Sequence, residues 1–250
     1  MKNNYSTYHK GHDPFISRVQ NWIQCAHDDY KPVVTYFLSP VEKDILEKQV
    51  GKQLVVSFDG GYPQAQRTLA CLCAYETESP FDYVILQSQY DTRYKTLTHK
   101  DILGALMHAG LERNFIGDLL VEKDTITIVA KQSLSRFIQE QITSIGRCSV
   151  SFSPVKKIEN VSQRYKEITI HIASLRLDAL VAQLAHCSRT QATKLIRSGY
   201  VKVNDVVVEE NCQLCNNNFV SIRKVGRFQL LETISQTRKG RLVIRINQFM

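Results

Sequence analysis

No apolar run in the 250 residues approaches the length of a membrane span, and Met1 to His12 is polar, with neither an apolar core nor a cleavage-like site. Neither an anchor nor a signal peptide is expected, and the cytoplasm is the default location. The seven cysteines, an odd number scattered along the chain, do not form a disulfide framework and fit a reducing compartment better. Cys212-Gln213-Leu214-Cys215 has the spacing of half a zinc site. The other half is missing, because Cys71-Leu72-Cys73 has the wrong spacing, so these thiols read as buried or partly buried side chains. His9, His12, His99, His108, His171 and His186 form no ligand cluster, and Gly60-Gly61 is a turn without the rest of a phosphate-cradling loop. No metal, cofactor or catalytic residue is assigned, and a non-catalytic protein is expected.

Acidic residues are also scarce in one part of the chain. From Asn160 onward there are 14 Lys and Arg against 6 Asp and Glu, while the 18 basic and 18 acidic residues before it cancel. The whole net charge of +8 therefore lies in the C-terminal segment, which implies a polyanionic partner for that segment alone.

Within it, Ser188 to Asn204 reads as a capped helix that stops at a glycine and turns into a strand. Ser188 and Gln191 form a capping box, and Gly199 supplies a left-handed terminator. Ala192, Leu195 and Ile196 fall on the buried side. Arg189, Thr193 and Arg197 form an i, i+4, i+8 row with Lys194 beside them, and that row is expected to have no acidic partner. Such a face suits a phosphate backbone. Arg176 opens an earlier helix, where the macrodipole opposes a cation unless an anion is near, and either an RNA phosphate or Asp178 can supply one.

Upstream, Asp13-Pro14 starts an amphipathic helix over 13–30, Lys31 to Leu38 reads as a strand, and Ser39-Pro40-Val41-Glu42 opens a helix closing at Gly51. Gln53 to Phe58 is a strand, Asp59 to Pro63 a turn, and Ala65 to Tyr75 is compatible with helix or strand. From Pro80 the pattern is βαββαβ: a strand at Tyr83 to Gln87, a helix capped by Thr98, a hairpin of Gly117 to Val121 and Thr125 to Ala130, a helix from Ser133 to about Ile145, and a closing strand at Cys148 to Phe152. Thr125 to Ala130 lacks the stacking aromatics of an RRM, so base stacking on this sheet is not expected. Asp118 after Gly117 is a candidate carboxylate whose commoner role is at a turn or strand start. Pro154 to Lys166 reads as a linker. After it come a strand at Ile168 to Ile172, the helix from Arg176, the capped helix, a hairpin about Asn204-Asp205, a strand at Asn218 to Lys224, and two strands, Phe228 to Thr233 and Arg241 to Asn247, joined by a basic turn at Thr237-Arg238-Lys239-Gly240.

Arg176-Leu177-Asp178, Ser188-Arg189 with Ala192, Leu195 to Asn204, Val220 to Arg223 and Gly226-Arg227-Phe228 together resemble an S4 RNA-binding domain. Tyr36 to Pro40, Gly60-Gly61-Tyr62 with Ala65 and Arg67, His99 to Met107, and Ile116 to Leu119 are similar to the YlmH family over nearly the whole chain. The resemblance implies an α+β protein: an N-terminal α+β unit (1–78), a ferredoxin-like, RRM-like plait (79–156), a linker (157–166) and an S4 domain (167–250). It also implies a bacterial, cytoplasmic protein of the large ribosomal subunit carrying peptidyl-tRNA, in ribosome-associated quality control, with genes linked to cell division. Asp205 and Lys224 stand where S4 domains often have glycine, and Gln66 where glutamate is expected.

The RNA-binding set is therefore Arg176, Ser188, Arg189, Thr190, Thr193, Lys194, Arg197, Lys202, Asn204, Arg223, Lys224 and Arg227, with rRNA or tRNA and the large ribosomal subunit as partners, no membrane contact, and a monomeric chain. For Arg223, Lys224 and Arg227 the competing reading is charge protecting a strand edge. Two other readings of the whole chain are a division-associated adaptor and an RNA-modifying enzyme of the S4-containing pseudouridine synthase type. The second is disfavoured because S4 comes last here and about 165 residues precede it, already occupied by two small units.

Overall fold

Helix α1 (Asp13–Asp28) buries Phe15, Val19, Ile23 and Ala26, the residues of one helical face. The structure, a computed structural model, describes residues 12–28, 31–75, 80–158 and 165–249. The polar start of the chain and most of the expected linker lie outside the described residues. Helix α2 (Pro40–Val50) opens on a complete capping box, with Glu42 N donating to Ser39 Oγ at 3.3 Å and Ser39 N to Glu42 Oε2 at 2.7 Å. The strands β1 (Val33–Val34), β2 (Val55–Asp59) and β3 (Leu69–Cys73) form an antiparallel sheet in the order β1-β3-β2. Of the stretch from Ala65 to Tyr75, Leu69–Cys73 is strand and none is helix, and β3 is buried at every residue.

The strand expected over Lys31 to Leu38 is reduced to Val33–Val34 plus an isolated bridge from Leu38 to Thr68. The backbone departs from a regular ladder at Thr35, whose Oγ1 accepts from Ala70 N, and at Phe37, whose N–H donates to Asn114 O.

The second sheet comprises β4 (Tyr83–Gln89), β5 (Ile116–Glu122), β6 (Thr125–Lys131) and β9 (Ser153–Val155) in the order β5-β6-β4-β9, with antiparallel neighbours throughout, the plait arrangement. Helix α3 (His99–His108) is drawn in at its start by Asp101, whose Oδ2 accepts from Thr98 N. Helix α4 (Ser135–Gln141) is shorter than expected. A 3₁₀ turn at Gln132–Leu134 leads into Ser135–Gln141, and the chain then forms a small ribbon of β7 (Ser144–Ile145) and β8 (Cys148–Ser149) around Gly146, at φ 61. The closing strand is accordingly Ser153–Val155 rather than Cys148 to Phe152, whose apolar members instead fill the core between helices and sheet.

Alternation along the plait strands sends Val84, Leu86, Ile126, Ile128 and Ala130 into that core. Ile85 and Val129 point to the other face, where they are buried against Phe37 and Leu69 of the preceding unit. The surface that an RRM offers to bases is thus packed by protein at these positions, a physical reason why Thr125 to Ala130 carries no stacking aromatics.

The residues resembling the YlmH pattern hold this contact together. Asp118, 4% exposed, accepts from Tyr62 Oη at 2.5 Å, Gln66 N at 2.7 Å and Arg67 N at 3.2 Å. Arg67 then donates to Phe37 O at 2.6 Å and Ile116 O at 3.1 Å. A Cβ on Gly117 would come within 2.8 Å of the Phe37 ring. Gln66 takes part through its backbone, so glutamine in place of glutamate leaves this bond intact.

By its contacts the chain divides into two units, one within 14–161 and a second within 162–250. In the second, the antiparallel sheet order is β10-β15-β14-β13-β11-β12, formed by β10 (Tyr165–Ile172), β11 (Val201–Val203), β12 (Val206–Val207), β13 (Phe219–Ile222), β14 (Gly226–Gln236) and β15 (Leu242–Phe249). Helices α5 (Leu177–Leu184) and α6 (Arg189–Arg197) share one core with this sheet, contributing Leu177, Leu180, Val181, Leu184, Ala192 and Ile196.

Candidate nucleic-acid interface

Helix α6 is bounded as its sequence dictates. Gln191 N donates to Ser188 Oγ at 3.2 Å, Ser188 N to Gln191 Oε1 at 2.9 Å, and Gly199 adopts φ 70. With Ala192 and Ile196 buried, Arg189, Thr190, Lys194 and Arg197 stand exposed and Thr193 half-buried.

The cationic row does have an acidic partner, which corrects the expectation from local sequence. Asp178, 6% exposed, lies in the first turn of α5, where a carboxylate suits the helix dipole. Its Oδ2 accepts from Arg189 Nε at 3.2 Å and Nη2 at 2.8 Å, and its Oδ1 from Arg176 Nε at 3.2 Å. The partnership was hidden because tertiary packing of α5 on α6 brings together residues eleven apart in sequence. Both arginine side chains remain about half exposed, at 52% and 53%, and each guanidinium has more N–H donors than the carboxylate takes up. Burial opposes ionisation of Asp178 but is outweighed by hydrogen bonding with the Asn211 side chain, Arg176 and Arg189, which holds its carboxyl below the usual carboxylate range. One buried anion thus aims two cations. The group keeps a net positive charge and its side chains are ordered in advance, which lowers the entropy cost of gripping a phosphate.

Lys194 and Arg197 continue the face without an ion pair among the described residues. Beyond the helix, the Arg223 guanidinium lies 5.1 Å from the ring centroid of Tyr200, which is 42% exposed. Tyr200 was not in the expected set. An aromatic between a helix-ending glycine and a basic strand is its only signal in the sequence. Lys224 is exposed and takes φ 66, as does Asp205, so both accept the left-handed backbone that glycine would favour.

Two other members of the expected set are placed differently. Asn204 is 2% exposed, and its Oδ1 accepts from Phe219 N at 2.9 Å, so this side chain fastens the turn to β13 and is removed from the RNA-facing set. Lys202 and Arg227 lie in one row across β11, β13 and β14, through Ser221. Lys202 is exposed there, whereas Arg227 is ion-paired with Asp205 at 3.1 Å and sits 5.0 Å from the Phe219 ring centroid, which leaves it less charge to offer than the helix residues. The described residues contain no group of three or more His, Cys, Asp and Glu placed to hold a metal, and no helix among them is long and apolar enough to cross a membrane.

Two family models match the chain: "Putative RNA-binding domain in YlmH" over residues 76–159 and "S4 domain" over residues 175–214. The chain is also 30% identical over 250 residues, covering 96% of each protein, to a Bacillus subtilis (strain 168) protein named ribosome-associated protein quality control protein P2. The chain belongs to the YlmH family. A solved structure of the cell division protein ylmH from Streptococcus pneumoniae superposes with a TM-score of 0.51 at 25% identity, covering 62% of this chain and 93% of that one. As a YlmH-family member the chain is an RNA-binding S4-domain protein with an α+β fold. Arg176, Arg189, Lys194, Arg197 and Lys202 fall inside the S4 match, Arg223, Lys224 and Arg227 lie beyond it, and the packed sheet of the plait falls inside the other match.

Proposed function

We propose that the S4 unit grips structured rRNA or tRNA through phosphates, that the chain acts on the large ribosomal subunit carrying peptidyl-tRNA in ribosome-associated quality control, and that it does so without catalysis. The observation that carries this reading is the Arg176–Asp178–Arg189 arrangement, set in the segment that holds all of the net charge. The name of the Bacillus subtilis relative supports the ribosomal setting. The residues proposed to meet RNA are Arg176, Ser188, Arg189, Thr190, Thr193, Lys194, Arg197, Lys202, Arg223 and Lys224, with Arg227 peripheral.

Sedimentation of a lysate tests the setting. The protein is expected to co-migrate with large ribosomal subunits and to leave them at high salt, because counterion release dominates such binding. The name of the Streptococcus pneumoniae relative favours one other reading, a division-associated adaptor. Under that reading the protein stays in the light fractions at every salt concentration, a result that sinks the ribosomal proposal. The surface itself is tested by filter binding to deproteinised large-subunit rRNA. The double change Arg189→Ala plus Arg197→Ala is expected to reduce the slope of log affinity against log salt by about one to two.

A further inference from the structure

The long hairpin of β14 and β15 extends past the residues of the S4 match, which ends at residue 214. At its base it is ordinary core, with Phe228, Leu230 and Ile246 buried, and Ile244 of β15, opposite Thr233, is buried as well. Toward its tip, Glu232 to Gln236 are exposed at every position, including Ile234 at 46%. β13 pairs with β14 only as far as Gln229, and register shifts between Leu230 and Glu232 and between Thr233 and Ser235 add twist beyond that point. A strand exposed on both faces contributes little to a core, so its use lies in what it carries.

It carries three cations in an ordered turn. Thr237 N donates to Arg241 O and Gly240 N to Thr237 O, both at 2.8 Å, Gln236 Nε2 donates to Gly240 O at 2.9 Å, and Arg241 N to Thr237 Oγ1 at 3.0 Å. Gly240 takes φ 76, which fits the turn. Arg238, Lys239 and Arg241 are all exposed. No acidic residue occurs from Thr233 to Arg241, and Glu232, at the start of the exposed stretch, is already paired with Arg245 at 3.2 Å. Protection of an open strand edge would place charge along the strand itself, yet Thr233 to Gln236 are uncharged and the cations are gathered at the tip.

The register also fixes which end of the sheet the tip occupies. Leu242, the first residue after the turn, pairs with Gln236 on one side and with Ile172 on the other. Ile172 is followed within four residues by Arg176, so the tip and the Arg176–Asp178–Arg189 group are connected at the same end of the sheet.

We infer that the tip formed by Arg238, Lys239 and Arg241 is a second RNA-backbone contact, separate from helix α6, that binds phosphates of the same RNA. The inference rests on the proposed RNA-binding role of the S4 unit and extends the binding surface beyond the S4 match. A rigid turn with outward cations positions charge on a backbone without reading bases.

The test compares the full chain with a triple variant, Arg238→Gln, Lys239→Gln and Arg241→Gln, and with Arg189→Gln plus Arg197→Gln, in filter binding to deproteinised large-subunit rRNA over a range of salt. Circular dichroism melts confirm that each variant is folded. The tip variant is expected to lower the salt slope by about two to three, with its loss adding to that of the helix variant when the two are combined. A tip variant with wild-type slope and affinity, beside a helix variant that loses both, overturns the inference and leaves the proposed function standing. A wild-type protein that shows no salt-dependent rRNA binding overturns the proposed function, and the inference with it.

Discussion

Asp118 and Asp178 are both buried carboxylates, 4% and 6% exposed, yet they serve opposite ends. Asp118 spends its bonds on a tyrosine hydroxyl and two backbone N–H groups, joining a plait strand to the turn before β3. Asp178 spends its bonds on two arginines that are half outside the protein. A carboxylate facing backbone donors fixes a fold, whereas one facing long cationic side chains turns a fold into a presented charge pattern. The same division runs through the sheets: the plait buries Ile85 and Val129 on the face an RRM leaves open, while the S4 unit leaves its cations on the surface.

The largest effect that would break this comparison is expected at Asp118. Asp118→Ala removes the acceptor for two backbone N–H groups and a hydroxyl in a buried setting, so a loss of about 3 kcal/mol of stability is expected in urea unfolding. Salt-dependent RNA affinity, measured where the variant remains folded, should stay at the wild-type value. A variant as stable as wild type but deficient in RNA binding would reverse the assigned roles.

Asp178→Asn probes the other carboxylate and pits two effects against each other. The substitution raises the net charge by one, which by bulk electrostatics strengthens RNA binding. It also releases Arg176 and Arg189 from their fixed orientation, which weakens binding. Preorganisation is expected to win, with affinity falling roughly three- to tenfold at moderate salt, because the lost orientation concerns two side chains at the contact itself. Tighter binding by this variant would mean that Asp178 merely dilutes the charge.

The smallest expected effect is acid sensitivity in the S4 unit. The carboxyl of Asp178 is held below its ordinary value in the folded chain, so its contribution is fully present above the unfolded value of about 4 and is lost as pH falls through the folded one. Denaturant unfolding below about pH 4 should therefore show a steeper fall in stability for the wild-type chain than for Asp178→Asn.

Much of the interface was legible in the linear chain. The Ser188–Gln191 cap, the Gly199 stop and the buried side of α6 are local, i to i+4 relations, and they appear in the structure as the spacing requires. Asp178 was legible as a neighbour of Arg176 but not as the partner of Arg189, since that pair depends on how two helices cross. Asn204 belongs to a surface-like polar motif in sequence, and only the pairing of its side chain with Phe219 N shows that it faces inward. In the plait, Ser144 and Ile145 read as the end of a helix, but a turn at Gly146 pairs them with Cys148 and Ser149 instead.

Composition and local periodicity by themselves determined that a neutral portion precedes a basic one and that a capped cationic helix is the centre of the latter, while the S4 assignment came from the resemblance of its motifs. Those properties depend on residue type and short-range spacing, which the chain carries explicitly. Tertiary structure decided which charges are spent and which are offered: Asp178 orders two arginines, Asp205 holds Arg227, and the hairpin turn joins three unspent cations to the same end of the sheet. Neutralisation depends on distance in space, and no spacing along the chain encodes it.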